Sequence, residues 1–355
     1  MRGEFWHVIE DGRRVMCDLC PRACKLQDGQ RGFCFVRKAQ GGGIDLTSYA
    51  RASGFCIDPI EKKPLYHFYP GTSVLSFGTA GCNLGCRFCQ NWDISKARED
   101  DKLQAHAAPE RVAQAARDAG CRSVAFTYND PVIFAEYAVD TAHAARELGV
   151  KTVAVTAGYI TAAARESFFA PMDAANVDLK AFSERFYQKL CFAELAPVLE
   201  TLRWLKHESR VWLEVTTLLI PGHNDSDAEL AQLADWFAEH LGADTPLHFT
   251  AYHPDYKLDA PPTPAATLLR ARERALAAGL RHVYLGNLPL SVTAGRDTSC
   301  PDCGAEVISR STYRITGFQL DAHGACRACG AALAGHFEAT AGHFGPRRVP
   351  LTIAS

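Results

Sequence analysis

The chain is 355 residues long, with a formal net charge of −2, 47% hydrophobic residues and 22% charged residues. That length allows one large core domain with small modules beside it, and the balance excludes a disordered chain or one held on nucleic acid or membrane by bulk positive charge. No run of about 18 apolar residues is present to span a bilayer, and MRGEFWHVIEDGRR at the start carries charges where a secretory leader needs an apolar stretch, so a cytoplasmic protein is expected.

The 14 cysteines are the compositional outlier, and most of them are grouped. In a reducing compartment clustered C-x-x-C spacings point to metal rather than disulfides, and thiolates select zinc or iron–sulfur clusters. The first group lies in residues 1–70, a Cys-, Gly- and Arg-rich stretch with weak periodicity and the loop-like Gln40-Gly41-Gly42-Gly43. Such a stretch lacks the apolar residues for its own core, so a small metal-stapled module is expected. Cys17, Cys20, Cys24 and Cys34 give it four thiolates, which suit zinc and an auxiliary iron–sulfur cluster equally; Cys56 could join or replace one of them.

Residues 71–290 alternate short apolar runs with amphipathic ones. The runs are VLSF at 74–77, VAFTY at 124–128, TVAVT at 152–156, NVDL at 176–179, VWLEVTTLL at 211–219, LHFTAY at 247–252 and VYLG at 283–286. Pro109 fits a first helical turn, with Val112, Ala115, Ala116 and Ala119 on one face and Gly120 as a stop. Phe134, Tyr137, Ala138, Thr141, Ala145 and Leu148 form a second stripe closed by Gly149, and Asp227–Leu241 and Pro264–Ala278 give two more helices. This alternation predicts βαβ units and a parallel sheet, open or closed into a barrel, with chemistry at the C-terminal strand ends.

After the first of these strands comes Cys82-Asn83-Leu84-Gly85-Cys86-Arg87-Phe88-Cys89. Three thiolates satisfy three irons of a [4Fe–4S] cube and leave the fourth iron open, whereas four would favour electron transfer. The plainer alternative is a zinc site that borrows a fourth ligand. Cys121 and Cys191 read as ordinary buried thiols. In residues 291–355, Cys300-Pro-Asp-Cys303-Gly and Cys326-Arg-Ala-Cys329-Gly form paired knuckles, the spacing of a structural zinc ribbon; an auxiliary iron–sulfur cluster is the alternative there.

The C-x3-C-x-aromatic-C triplet resembles the signature of radical S-adenosylmethionine (SAM) enzymes. With Asp58-Pro59-Ile60-Glu61-Lys62-Lys63-Pro64-Leu65-Tyr66-His67-Phe68 ahead of it and Cys89-Gln90-Asn91-Trp92 closing it, the chain looks like the radical SAM member of the AmmeMemoRadiSam system, a group similar to pyruvate formate-lyase activating enzyme. The resemblance implies an α/β fold: a radical SAM partial (β/α)6 barrel over 71–290, with an N-terminal Cys-rich module over 1–70 and a C-terminal zinc-ribbon-like module over 291–355.

It further implies that a [4Fe–4S] cluster on Cys82, Cys86 and Cys89 binds SAM. An electron from a ferredoxin- or flavodoxin-type donor then cleaves the S–C5′ bond, and the resulting 5′-deoxyadenosyl radical abstracts hydrogen. The substrate would be a glycyl-type residue of a protein or a small molecule, with Memo-type and Amme-type proteins as candidate partners. An RNA-modifying radical SAM enzyme, which would want a basic, aromatic-lined surface, or a non-catalytic zinc-binding adaptor are the alternatives; the zinc-ribbon-like segment shows no dense Lys/Arg face for nucleic acid.

By the same resemblance, Tyr128-Asn129-Asp130-Pro131 occupies the place of the segment that receives the SAM ammonium, where relatives read Thr-Tyr-Thr-Glu-Pro. Asp130 is a shorter carboxylate, and a turn opening a helix explains the same residues. Gly158 would permit close backbone approach to the nucleoside. Asp178 and Lys180 share one face and resemble the D-x-K of the activating enzymes, with Lys180 offsetting the SAM carboxylate. Thr216 shares a face of its strand with Glu214 and Leu218, ahead of Ile220-Pro221-Gly222, which resembles the family's adenine-contacting segment. Phe88 would pack on adenine, and His248 and His253 could face SAM or substrate, although a lone strand histidine is more often a core residue.

Overall fold

A computed structural model of the chain describes residues 1–9, 12–98, 103–289 and 291–353. The expected module boundary at residue 290 lies outside the described residues. Each of the seven apolar runs forms a strand: β2 (Ser73–Gly78), β3 (Ser123–Phe126), β4 (Lys151–Thr156), β5 (Ala174–Asp178), β6 (Trp212–Leu219), β7 (Leu247–Ala251) and β8 (Val283–Gly286). These pair in parallel, each with its sequence neighbour. Two antiparallel strands extend the edge, β1 (Gly54–Pro59) on β2 and β9 (Val349–Leu351) on β1, to give a nine-stranded sheet in the order β8-β7-β6-β5-β4-β3-β2-β1-β9. β1 falls inside the stretch assigned by composition to the N-terminal module, yet it belongs to the main sheet.

The parallel strands read as continuous apolar runs because both faces are covered, as in Val74, Leu75 and Phe77 of β2, which are fully buried. The covering helices follow the strands in turn: α1 (Pro109–Asp118), α2 (Ala135–Glu147), α3 (Ala162–Phe169), α4 (Ala196–His207), α5 (Asp227–Leu241) and α6 (Ala265–Ala277). Pro109 opens α1, where its missing N–H costs nothing, and Val112, Ala113 and Ala116 are buried while Ala119 is not. Six βα units followed by β8 make an α/β fold of the partial-barrel kind. Helices α3 and α4 carry no expectation from the sequence reading: α3 has only two turns, and Pro197 inside the first turn of α4 masks its start.

The barrel also buries charge beneath the cleft. The buried Glu214 carboxylate accepts from Tyr66 N (2.9 Å), His67 N (2.8 Å), Trp212 Nε1 (3.0 Å) and His248 Nε2 (2.7 Å). This carboxylate holds the Leu65–Phe68 segment against β6 and β7. The Cys-rich C-terminal segment docks on the same segment, through Arg310 to Tyr66 O (2.9 Å) and main-chain bonds between His336 and both His67 and Tyr69. Its three antiparallel strands, Thr298–Ser299, Glu306–Ser311 and Arg314–Phe318, enclose a small core of their own built on Val307, Ile308, Leu320 and Leu333. By contrast, Val36, Ile44 and Leu46 of the N-terminal stretch join the main core. Among the described residues no helix is long and apolar enough to cross a membrane.

Replacing Glu214 with Ala would strand two buried main-chain N–H groups and a histidine, so Glu214→Ala should cost about 3 kcal/mol. Urea denaturation should show a lower midpoint at unchanged slope; a shift below about 0.5 kcal/mol would exclude the bracing role.

Candidate active site

The C-terminal ends of β2 to β8 open onto a cleft of about 720 Å³ lined by Cys82, Cys86 and Cys89. The triplet's loop leaves β2 and is tied down at nearly every turn. The buried Asn129 side chain accepts from Thr79 N (3.0 Å) and donates to Gly81 O (2.7 Å), and the Asn83 amide donates to Tyr159 O (2.9 Å). Lys96 Nζ donates to Leu84 O (2.9 Å). On the other side, Gly85 N and Arg87 N donate to Cys191 O (2.8 Å) and Leu190 O (2.9 Å). Those carbonyls belong to a single π-helical turn, Tyr187–Cys191, a rare geometry that favours functional sites.

The donor set, three cysteines lining the mouth of one cleft, fits an iron–sulfur cluster. Leu84 N lies 3.5 Å from Cys82 Sγ, and the amide of Asn91 donates to Cys89. Burial, with Asp130 adding, pushes the Cys82 thiol up to about 12. Cys191 was expected to be an ordinary buried thiol, but its S–H donates to Cys86 and lowers the Cys86 pKa. No sequence signal marks Cys191, because the π turn that delivers it is not periodic.

Most of the expected SAM-side residues line the cleft: Phe88, Tyr128, Asn129, Asp130, Asp178, Lys180 and Thr216 all do so, as does His248. Their side chains are committed to different degrees. Asp130 accepts from Val132 N (3.1 Å), Thr156 Oγ1 (2.9 Å) and Ala157 N (3.1 Å), so it caps the following helical turn and ties β3 to β4. The side chain of Asn129 is likewise spent on the cysteine loop. Lys180 Nζ pairs with Asp178 Oδ2 at 2.6 Å, and the two remain 17% and 31% exposed. Burial opposes the Lys180 charge, but Asp178 and Cys86 outweigh it, and the ammonium persists above its ordinary range. Thr216 Oγ1 donates to Asn176 Oδ1 (3.0 Å), and Phe88 packs 5.6 Å from the Phe186 ring.

Others lie off the cleft wall. Gly158 (φ +64°) turns away, where a Cβ would press on Val177 at 3.0 Å, so glycine is explained by the turn itself. The Ile220–Gly222 segment does not line the cleft, and exposed His253 contacts Gln90 at 3.2 Å. The PIEKK segment, read only as a family marker, does line it through Glu61, Lys62 and Lys63. The buried Asp58 joins Lys63 Nζ (2.7 Å), Lys62 Nζ (2.9 Å) and Tyr128 Oη (2.6 Å), which binds that segment to the end of β3.

Of the flanking cysteine sets, the C-terminal one is compact. Cys300 and Cys329 sulfurs lie 3.6 Å apart, and Cys303 and Cys326 sulfurs 3.8 Å apart, so the group can hold a metal ion. Cys17, Cys20, Cys24 and Cys34 line one small pocket behind the cleft. Cys56 does not line it; it lies in β1, where Arg348 Nε donates to its sulfur (2.9 Å).

Because Asn129 holds the loop rather than contacting the open cleft with free polar atoms, Asn129→Ala should fold but grip a reconstituted cluster poorly. Losing three buried hydrogen bonds, about 1 kcal/mol each, should speed iron release to a chelator at least several-fold. Release at the wild-type rate would show that the clip is dispensable.

Comparison with known proteins agrees with this geometry. The model of the radical SAM superfamily matches residues 77–234. An uncharacterized protein of Methanocaldococcus jannaschii is 40% identical over 332 residues, covering 93% of this chain and 98% of that protein. A radical SAM methyltransferase from Sphaerobacter thermophilus shares the fold at 17% identity, with a TM-score of 0.50 over 64% of this chain and 70% of that one. A domain of pyruvate-formate lyase-activating enzyme from Bacteroides vulgatus is also similar, with a TM-score of 0.42 and 17% identity over 46% of this chain and 99% of that domain. With a cysteine triplet at the mouth of a parallel αβ sheet and a family match spanning that loop, residues 77–234 of the chain form a radical SAM domain.

Proposed function

We propose that this protein is a cytoplasmic radical SAM enzyme, related to the glycyl-radical activating enzymes, that abstracts hydrogen from a glycyl-type residue of a protein or from a small molecule. The observation that carries the reading is the loop of Cys82, Cys86 and Cys89, held open toward a cleft with Asp178 and Lys180 on its wall. A [4Fe–4S] cluster with SAM, when bound, supplies one-electron cleavage of the S–C5′ bond and hence a 5′-deoxyadenosyl radical. The protein's part is to bind, orient and exclude water.

In this reading the three thiolates hold the cluster, and Asn129, Asn83 and Lys96 keep their loop rigid. Lys180 keeps its positive charge and offers it to the SAM carboxylate, with Asp178 aiming the ammonium. Main-chain groups beside Ala157 and Tyr128 serve the ammonium and nucleoside, since the side chains of Asp130 and Asn129 are already engaged. Phe88 gives adenine an apolar face. The reductant is a low-potential ferredoxin- or flavodoxin-type protein, and the resemblance in PIEKKPLYHF and CQNW supports Memo-type and Amme-type proteins as partners. Zinc is our assignment for the C-terminal set, because its sulfur separations of 3.6 and 3.8 Å suit one tetrahedral ion.

Protein reconstituted anaerobically with iron and sulfide should turn brown and release 5′-deoxyadenosine from SAM and dithionite. The combined variant Cys82→Ala, Cys86→Ala, Cys89→Ala should lose that activity to background. Undiminished SAM cleavage by this variant would sink the proposal.

A further inference from the structure

Among the described residues the main sheet does not close on itself: β8 forms one edge and β9 the other. The chain between those edges includes the Cys-rich C-terminal unit, and part of it returns to wall the cleft. Arg296 follows β8, Thr312 and Tyr313 make the turn between strands Glu306–Ser311 and Arg314–Phe318, and Arg348 directly precedes β9; all four line the cleft. Lys62 of the PIEKK segment lines it as well. The function proposed above places SAM by the cysteine loop, Asp178 and Lys180, and gives this wall no task.

The donors on the wall are largely uncommitted among the described residues. The Arg296 side chain makes no hydrogen bond; its carboxylate neighbour, Asp297, stands 3.7 Å away and accepts from Arg310 N at 2.6 Å. Arg348 donates from Nε to Cys56 Sγ at 2.9 Å and leaves its two terminal nitrogens without a hydrogen bond. The Tyr313 hydroxyl has no hydrogen-bond partner either. Burial, with Asp58 nearby, pushes its pKa up, so it keeps its proton and can donate. Arg296 and Lys62 are 24% and 35% exposed, and such partly solvated charges can exchange water for a ligand at small cost.

Charge on this side of the cleft is also out of balance. Asp58 supplies one negative charge, and Lys62, Lys63 and Arg348 all act on it. Arg296 adds a further cation. The acid beside them, Glu61, is buried with Oε1 bound to Gly71 N (2.7 Å), and burial pushes its pKa up to about 7. By the cysteine loop, in contrast, Lys180 is matched by Asp178 at 2.6 Å. A cleft with low-dielectric walls concentrates the field of such a surplus and draws in anions.

We infer that this wall is the substrate subsite: Arg296, Arg348 and Tyr313, with Lys62 beside them, bind an oxyanion group, carboxylate or phosphate, of a small-molecule substrate. Planar guanidinium groups suit either, because each offers parallel N–H donors to two oxygens. A cleft of about 720 Å³, walled on this side by the C-terminal unit, is of the size that takes small molecules. The Cys-rich unit then does more than stabilise itself, because its turn carries Tyr313 into the cleft. The anion site stands on the geometry of the wall; calling its ligand the substrate rests on the radical SAM reading.

Isothermal titration at low ionic strength tests the site on protein reconstituted anaerobically with iron and sulfide and saturated with SAM. The probes are inorganic phosphate, pyrophosphate and succinate, and at least one should bind saturably. Binding of the phosphates alone assigns a phosphorylated substrate, and binding of succinate alone a carboxylate. The variant Arg296→Gln, Arg348→Gln should weaken that binding by about tenfold or more, and the near-isosteric Tyr313→Phe several-fold. Both should still release 5′-deoxyadenosine from SAM and dithionite at the wild-type rate. No saturable binding of any probe, or binding unchanged in both variants, would overturn the site. Loss of SAM cleavage in both variants would place these residues at SAM and overturn the substrate assignment. A wild type that binds a probe yet makes no 5′-deoxyadenosine would leave the anion site in place and overturn the radical SAM reading.

Discussion

The mouth of the barrel depends on the Asp58 carboxylate, which is wholly buried and meets Lys63, Lys62 and Tyr128. An unpartnered carboxylate at that depth would be strongly destabilising. Here burial pushes its pKa up, and the Lys63 ammonium with the hydrogen bonds of Lys63, Tyr128 and Lys62 pulls it down further, so it stays ionised well below the usual carboxylate range. Tyr128, whose hydroxyl donates to Asp58, stands at φ +71°, a conformation that costs a non-glycine residue about 1–3 kcal/mol. Asn91 Nδ2, from just beyond the triplet, holds the Tyr128 carbonyl at 2.9 Å. The turn so fixed aims Asn129 at the cysteine loop and Asp130 at β4. One charge thus sets the geometry of three separate stretches of chain.

Two charge pairs divide stability from chemistry. Glu214 and His248 are 0% and 4% exposed, with the carboxylate's bonds filled by the fold. Asp178 and Lys180 stay partly open to the cleft. Buried and satisfied charge braces; charge left partly solvated can exchange water for a ligand at small cost.

Much of this was legible in the sequence. All seven parallel strands lie where apolar runs stood, because strands covered on both faces cannot hide their composition. The cysteine triplet was legible because its spacing is local. What the sequence could not show was set by long-range contact. Asn129 reads equally as a ligand or a turn residue until Thr79 and Gly81 are seen beside it. Cys191 has no local pattern and gains its meaning only where a π turn meets Gly85 and Arg87. The three cysteine groups look alike as text; folding sets them apart by place, the triplet at the cleft, Cys17 to Cys34 in a small pocket behind it and Cys300 to Cys329 in a compact group of their own.

The strand β9 also bears on how the chain matures. It covers the outer edge of β1, and Arg348 reaches Cys56 across 292 positions of sequence. Between β8 and β9 the chain carries the small three-stranded unit that docks on Tyr66 to Tyr69. If that unit formed only with a metal ion on its four cysteines, placing β9 would wait too, and an uncovered edge is a template for pairing with other chains. Pairings of such long range close slowly in any case. Metal supply would then act as a checkpoint on solubility during synthesis, well before any question of turnover arises.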